Sequence, residues 1–278
     1  MLPDGFGEVA EKLRRSTVRV LDGGRNSGGS GSGIVWDADG TVVTNAHVAR
    51  GERAQVELWD GRSFSAEVAA RDASSDLAKL KISAANLPAA HWRESSSLRA
   101  GELAVAIGNP LGFVGALTTG VVHGASAIRG LGRRFWVQAA IRLAPGNSGG
   151  PLADAAGRVI GVNTMVVSGG LALAIPSEAV VRFLRNGSRP VLGISVRDVP
   201  EGLLILEVNR NSTAERASLR IGDLLVGANG RRFESAADLS DALEDAAGSV
   251  LRLQFRRGGQ RAEREVAVVV TRARREAA

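Results

Sequence analysis

Residues 144–152 read Ala144-Pro145-Gly146-Asn147-Ser148-Gly149-Gly150-Pro151-Leu152. A Pro-Gly corner precedes the serine, and two glycines follow it. A tight turn of this kind leaves backbone N–H groups unpaired beside the hydroxyl, with little side-chain bulk in the way. That suits an attacking group, which must meet a carbonyl while neighbouring donors receive the negative charge that develops. Gly146 is needed because a Cβ there would hinder the peptide that presents its N–H. The N–H groups of Gly146 and Ser148, with Asn147 between them, are the candidate oxyanion hole.

A serine hydroxyl is a weak nucleophile near neutral pH, so Ser148 needs a base, and the base needs an orienting acid. The chain has three histidines. His47 lies in Thr44-Asn45-Ala46-His47-Val48, at the end of a strand and the start of a turn. His91, beside Trp92, reads as a surface-loop residue, and His123 as a residue of an alternating strand. The candidate acid is Asp76, in Ser74-Ser75-Asp76-Leu77-Ala78, where it opens an apolar strand. Asp72 follows Arg71 and reads as its ion-pair partner or as a turn cap. Asp154 comes too soon after Ser148 to reach across a cleft. The order His47, Asp76, Ser148 takes two members from one group of strands and the nucleophile from the next. A cleft between two barrels would bring them together.

Short β-type runs dominate the first two-thirds of the chain. They fall at 17–21, 34–36, 41–44, 55–58, 66–71, 77–82 and 103–107, then at 117–123, 135–139, 151–153, 159–163 and 171–175. Turn residues separate them, among them the corners Asp39-Gly40 and Asp60-Gly61, and the spacing predicts barrels or a sandwich. Residues 4–15 read as a short helix with Phe6, Val9, Ala10 and Leu13 on one side. The Gly/Ser run 23–33 is expected to be a surface loop, and 125–134 a mobile basic loop. Residues 177–186 form a helix with a Ser N-cap and Gly187 as its stop. Arg189-Pro190 then breaks the chain. Beyond it, strands at 192–197, 202–208, 224–228, 250–256 and 263–270 and helices at 213–218 and 235–246 make a small α+β domain.

A length of 278 residues fits two medium domains, and 44% hydrophobic residues suffice for real cores. The net charge is +6, and all basic residues except Lys12, Lys79 and Lys81 are arginines spread along the chain. Aromatic residues are only 4% and are not interleaved with the basic C-terminal run, so no nucleic-acid partner is expected. The absence of cysteine excludes disulfides, thiol catalysis and thiolate metal sites. Three scattered histidines make no metal cluster, and run 23–33 lacks the Lys-Ser/Thr ending of a phosphate loop. No cofactor and no metal are expected. No apolar run is long enough for a membrane segment, and residues 1–15 lack the apolar core of a signal peptide. As written the chain is expected in the cytoplasm, or outside it if a leader has been removed.

Several motifs, in order, resemble the HtrA/Deg family of chymotrypsin-fold serine proteases: TNAHV (44–48), SSDLAKLKI (74–82), AIGNPLG (106–112), PGNSGGPL (145–152), GVNT (161–164) and ALAIPS (172–177). The second domain resembles a PDZ module, with LGI (192–194) at the family's carboxylate-binding loop and RIGDLLVGANG (220–230) at its core hairpin. The resemblance implies a mainly β chain: an N-terminal helix (1–15), a chymotrypsin-like double β-barrel (16–187), a linker (188–190), an α+β PDZ domain (191–272) and a basic tail (273–278). It implies an endopeptidase that cuts unfolded or misfolded proteins without ATP through an acyl-enzyme. It also implies assembly as a homotrimer or a multiple of trimers, and action outside the cytoplasm. The N-terminal helix then makes trimer contacts or packs on its own barrel. C-terminal peptides would bind with their carboxylate near Leu192, Gly193 and Ile194. Leu239 and Leu243 line that groove or belong to the domain core.

Departures from the family bear on specificity. Where relatives commonly read DAAINPGNSGG, this chain has Arg142, six residues before the nucleophile. Either Arg142 lines the pocket for the residue preceding the scissile bond and favours an acidic one, or it points away and Leu143, Leu171 and Leu173 shape a small apolar pocket. Thr213 stands where proline is usual and Ser218 where glycine is usual. The competing functional reading is a catalytically weak or silent, chaperone-like peptide binder.

Overall fold

The computed structural model describes residues 6–23, 29–109, 115–128, 134–167, 170–186, 190–259 and 262–270. The expected stop at Gly187, most of the 188–190 linker, the basic tail and the start of the N-terminal helix lie outside these residues, as does the Phe6 side chain. Two compact units make up the chain. The first holds Met1–Ile128 and Phe135–Gly187, and the second runs on from Ser188.

Helix α1 (Phe6–Ser16) leads straight into β1 (Thr17–Asp22). Then follow β2 (Ser30–Val35), β3 (Thr41–Thr44), β4 (Arg53–Glu57), β5 (Ser63–Asp72) and β6 (Leu77–Ile82), which close a barrel in the order β1-β2-β3-β6-β5-β4. A second barrel, in the order β10-β11-β12-β9-β8-β7, consists of β7 (Leu103–Gly108), β8 (Ala116–Ala127), β9 (Phe135–Ile141), β10 (Pro151–Asp154), β11 (Val159–Val167) and β12 (Leu171–Pro176). Helix α2 (Ser177–Asn186) ends the unit.

Strand alternation sorts the apolar residues into three layers. Val18, Val20, Val35, Val42, Val56 and Leu80 fill the first barrel. Ala104, Ala106, Ala139, Ala172 and Ala174, with Leu152 and Ile160, fill the second. The opposite faces of the same strands send Ile34, Val43, Leu77, Val105, Ile107, Val162, Leu173 and Ile175 into a seam between the barrels. Val9 and Leu13 of α1 are buried in this seam cluster, together with Val180 and Phe183 of α2. These two α1 residues therefore pack on their own barrels and are not available to a neighbouring copy.

Two loop expectations need correction. Residues 30–33 are not surface loop: they begin β2, and Gly31, Ser32 and Gly33 are buried. Glycine is there for packing. A Cβ on Gly31 would lie 2.7 Å from the Val48 methyls, and one on Gly33 2.9 Å from methyls of Val18 and Val42. The basic loop expected at 125–134 is also partly strand, because β8 continues to Ala127 and pairs Ser126 with Trp136 and Ala127 with Phe135. Residues 129–133 lie outside the described residues.

The second unit is one sheet, β13 (Ile194–Val199), β14 (Gly202–Val208), β15 (Leu224–Ala228), β17 (Val250–Arg256) and β18 (Arg264–Val269) in that order, with β16 (Arg231–Arg232) paired to β15. A short helix α3 (Thr213–Arg216) follows β14, and α4 (Ala236–Asp245) precedes β17. Its core includes Leu192, Leu203, Ile205, Leu225, Leu239, Leu243, Leu251 and Leu253. Among the described residues no helix is long and apolar enough to cross a membrane.

Candidate active site

β3 and β6 are neighbours, with Thr44 opposite Ala78, so residues just past the end of one lie beside those just before the other. Beyond Thr44 the chain turns, and the N–H groups of Val48 and Ala49 both donate to the Asn45 carbonyl, at 3.1 and 3.2 Å. This turn carries His47. Asp76 stands immediately before β6 with φ at +53°, a left-handed conformation that is uncommon for a non-glycine residue. The Asn45 amide donates to the Asp76 carbonyl at 3.0 Å, which ties the two turns together.

His47 approaches Asp76 twice. Its backbone N–H donates to Oδ1 at 3.1 Å, and its Nδ1 lies 3.0 and 2.9 Å from Oδ1 and Oδ2. The Thr164 hydroxyl donates to Oδ2 at 2.5 Å. Burial by itself would raise the Asp76 pKa. Hydrogen bonds from His47 and Thr164, with the attraction of the imidazole, outweigh burial and hold the carboxyl below its ordinary value. An ionised Asp76 only accepts, so Nδ1 must carry a proton, and it is the Nε2 of the neutral imidazole that would offer a lone pair.

Ser148 lies in the loop between β9 and β10. Asn147 N–H donates to the Ala144 carbonyl at 3.0 Å, and Gly146 has φ +105°. With proline at the second position, this is the pattern of a type II turn, which places glycine third. Gly149 (φ +84°) donates to the Asn163 carbonyl at 2.8 Å, and Asn163 N–H donates to the Gly150 carbonyl at 2.9 Å. The Ser148 hydroxyl donates to the Thr164 carbonyl at 3.2 Å. Thr164 thus touches both the acid and the nucleophile, one through its hydroxyl and the other through its carbonyl. Among the described residues Ser148 and His47 form no hydrogen bond, so the serine must turn about its Cα–Cβ bond to reach the imidazole.

His47, Asp76 and Ser148 therefore converge at one end of the inter-barrel seam, linked through Thr164. Of the three oxyanion-hole residues, Asn147 has spent its N–H on Ala144. The N–H groups of Gly146 and Ser148 have no acceptor among the described residues. Thr164 and Ser32, which donates to the Gly146 carbonyl at 2.7 Å, escape a reading of the sequence for acids and bases. Thr164 sits in the GVNT motif, but a threonine there carries no signal of its own. Ser32 is hidden in a Gly/Ser run that looks like a linker.

Leucines 143, 171 and 173 pack against two different clusters. Leu173 is fully buried in the seam, with Leu171 packed beside it, whereas Leu143 packs against the interior of the second barrel. Arg142 is exposed. Asp72 caps its own turn, accepting from the N–H and hydroxyl groups of both Ser74 and Ser75. Asp154 pairs with Arg93 and Arg158, and the side chains of His91 and His123 are exposed and take no part in the site.

In the second unit Gly193 has φ +76°, and a Cβ there would lie 2.4 Å from Ser212 Cβ. The carbonyls of Leu192 and Gly193 accept from Ala214 and Asn209 at 2.9 and 2.8 Å. Their N–H groups have no acceptor among the described residues. Leu192, Leu239 and Leu243 are at most 6% exposed and belong to the core, while Ile194 is only partly buried.

Residues 31–162 match the trypsin-like peptidase domain family, and residues 190–268 match the PDZ domain family. Serine protease HTRA1 of Xenopus tropicalis is 36% identical over 269 residues, covering 83% of this chain and 58% of that protein. The putative serine protease HhoA of Synechocystis is 34% identical over 274 residues, covering 85% of this chain and 70% of that protein. The crystal structure of the serine endoprotease from Yersinia pestis superimposes with a TM-score of 0.73 at 26% identity, covering 98% of this chain and 99% of that one. The chain spans about half to three-fifths of the length of the first curated relatives it matches, 58% and 48% for two of them. With both domain families matched in order and HhoA covered over more than two-thirds of its length, the chain belongs to the HtrA/Deg family.

Proposed function

We propose that this chain is a serine endopeptidase that cleaves unfolded or misfolded polypeptides without ATP. The observation that carries the reading is the linked set His47–Asp76–Thr164–Ser148. In the proposed cycle Ser148 Oγ attacks the scissile carbonyl and His47 Nε2 takes its proton. Asp76 holds the imidazole in the required tautomer and stabilises its charged form. The Gly146 and Ser148 N–H groups receive the oxyanion. The amine leaves with the proton from His47, and water then enters by the reverse sequence to release the acyl group. In the resting arrangement the Ser148 proton is directed at the Thr164 carbonyl, so the cycle begins with rotation of the hydroxyl toward His47.

The second unit would capture C-terminal peptides. The peptide would add a strand along β13, its carboxylate on the free N–H groups of Leu192 and Gly193. Partly buried Ile194 borders that groove, with Leu239 and Leu243 supporting it from the core. A boundary at 188–190 and assembly as a trimer or a multiple of trimers belong to the same proposal. Arg142, exposed six residues before Ser148, is the candidate for choosing the residue before the cut, favouring Asp or Glu; the alternative is an apolar pocket drawn from Leu143, Leu171 and Leu173.

A fluorophosphonate probe tests the chemistry. Labelling of the folded protein, abolished in Ser148→Ala and His47→Ala, is expected with or without an activating C-terminal peptide. Absence of labelling under both conditions favours the silent peptide binder. Cleavage sites mapped on unfolded casein test Arg142: no enrichment of Asp or Glu before the cut rejects its role.

A further inference from the structure

Ser32 is fully buried at the start of β2, far in sequence from Ser148, yet five hydrogen bonds meet on it. Its N–H donates to the Ser148 carbonyl at 2.8 Å. Its hydroxyl donates to the Gly146 carbonyl at 2.7 Å. The backbone N–H of Asn109 reaches that hydroxyl at 3.0 Å, with the Asn109 amide at 3.4 Å. The Thr44 hydroxyl donates to the Ser32 carbonyl at 2.6 Å.

A serine hydroxyl has one proton and two lone pairs. Asn109 supplies only donors to it, so its single proton must go to Gly146. The bond is therefore directional, from Asn109 through Ser32 to the Gly146 carbonyl. That carbonyl belongs to the Gly146–Asn147 peptide, whose other end is held by the bond from Asn147 N–H to Ala144. With this peptide pinned at both ends, Gly146 is kept at φ +105°. Two residues on, the Ser32 N–H pins the Ser148 carbonyl. Ser32 thus grips the chain on both sides of the two free N–H groups. Losing the hydroxyl would leave the buried Gly146 carbonyl without its donor, an incentive for the peptide to rotate toward another partner.

We propose that Ser32 is the positioning residue of the oxyanion hole, its hydroxyl holding the Gly146 and Ser148 N–H groups in the orientation that receives the oxyanion. The proposal rests on the serine-peptidase reading above. Ser32 touches no substrate, so its effect is confined to steps in which the hole is occupied. Asn109, just past the end of β7, also accepts from the Gly115 N–H through its side-chain oxygen at 3.1 Å. Thr44, three residues before His47, ties Ser32 to the strand that carries the base.

The test uses the full chain with Ser32→Ala and Ser32→Cys, the latter close in size but a poor donor. Ser32→Ala is expected to lower kcat on an unfolded protein or a fluorogenic peptide ~10- to 100-fold, less than or comparable to direct loss of an oxyanion donor. KM should stay within about threefold, because ground-state binding does not use the hole. A peptide aldehyde, whose adduct places an oxyanion there, should bind more weakly by a similar factor, and Ser32→Cys should fall between the two. In a Ser148→Ala background, substitution at Ser32 should leave peptide affinity unchanged. An unchanged kcat in Ser32→Ala overturns the proposal. So does a loss shared by KM, or a loss that tracks the folded fraction by circular dichroism in both variants. Activity retained in Ser148→Ala would instead overturn the underlying reading.

Discussion

At the scale of single residues, Thr164 is the link between the candidate acid and the candidate nucleophile, and its two contacts can be separated. Thr164→Val keeps the shape and the backbone carbonyl that receives the Ser148 hydroxyl, but removes the donor to Asp76. A hydrogen bond to a charged group contributes about 1.5–3 kcal/mol, so kcat should fall about tenfold or more if Asp76 loses its orientation. Stability should respond with a definite pH dependence. Asp76 is held below its ordinary pKa, so its contribution is complete above the unfolded value, near 4, and is lost as pH falls through the folded value. Thr164→Val raises the folded value toward the unfolded one. The variant should therefore be less stable than the parent in denaturant at pH 7, with the gap narrowing at pH 3. An equal gap at both pH values would mean that Thr164 acts by packing alone.

At the scale of elements, β2 separates what was legible from what was not. Short apolar or β-branched runs between turn signals, such as Leu77–Ile82 and Thr41–Thr44, could be read directly from their patterning. The candidate triad could be named from residue type and order, because only certain side chains can hold and pass a proton. Ser30–Val35 begins with Ser-Gly-Ser-Gly, and no propensity distinguishes a glycine that packs from one that bends. Its strand character depends on Val18, Val42 and Val48, which are distant in sequence and leave no room for a Cβ. The leucines show a related limit: residues 171 and 173 share a strand face, but which face meets the seam is decided by the partner barrel. Gly33→Ala distinguishes the two accounts of the Gly/Ser run. In a flexible loop alanine would be neutral or stabilising by up to about 1 kcal/mol. Here it should destabilise by about 1–3 kcal/mol through overpacking of the first barrel, measurable by urea unfolding.

At the scale of the whole molecule, the distribution of core residues predicts how damage spreads. Among the described residues, the interiors of both barrels and the seam draw only on residues 9–184, and the second unit's core draws only on residues 192–270. The catalytic candidates all depend on the seam: β3 and β6 present His47 and Asp76 from one barrel, and the loop into β10 presents Ser148 from the other. Leu77, fully buried in that seam and adjacent to Asp76, should be sensitive in both respects. Leu77→Ala is expected to cost about 2–5 kcal/mol and to depress fluorophosphonate labelling beyond the loss of folded protein, because the cavity lies next to the orienting acid. Leu253, equally buried but in the second unit, should behave differently. Leu253→Ala should cost the same order in the second unit's thermal transition while leaving the first unit's transition and the basal labelling of Ser148 in place. Calorimetry with parallel labelling reads both. A single transition that moves in both variants, with labelling lost in each, would show that the two cores fold as one cooperative body and that separate clusters do not mean separate stability.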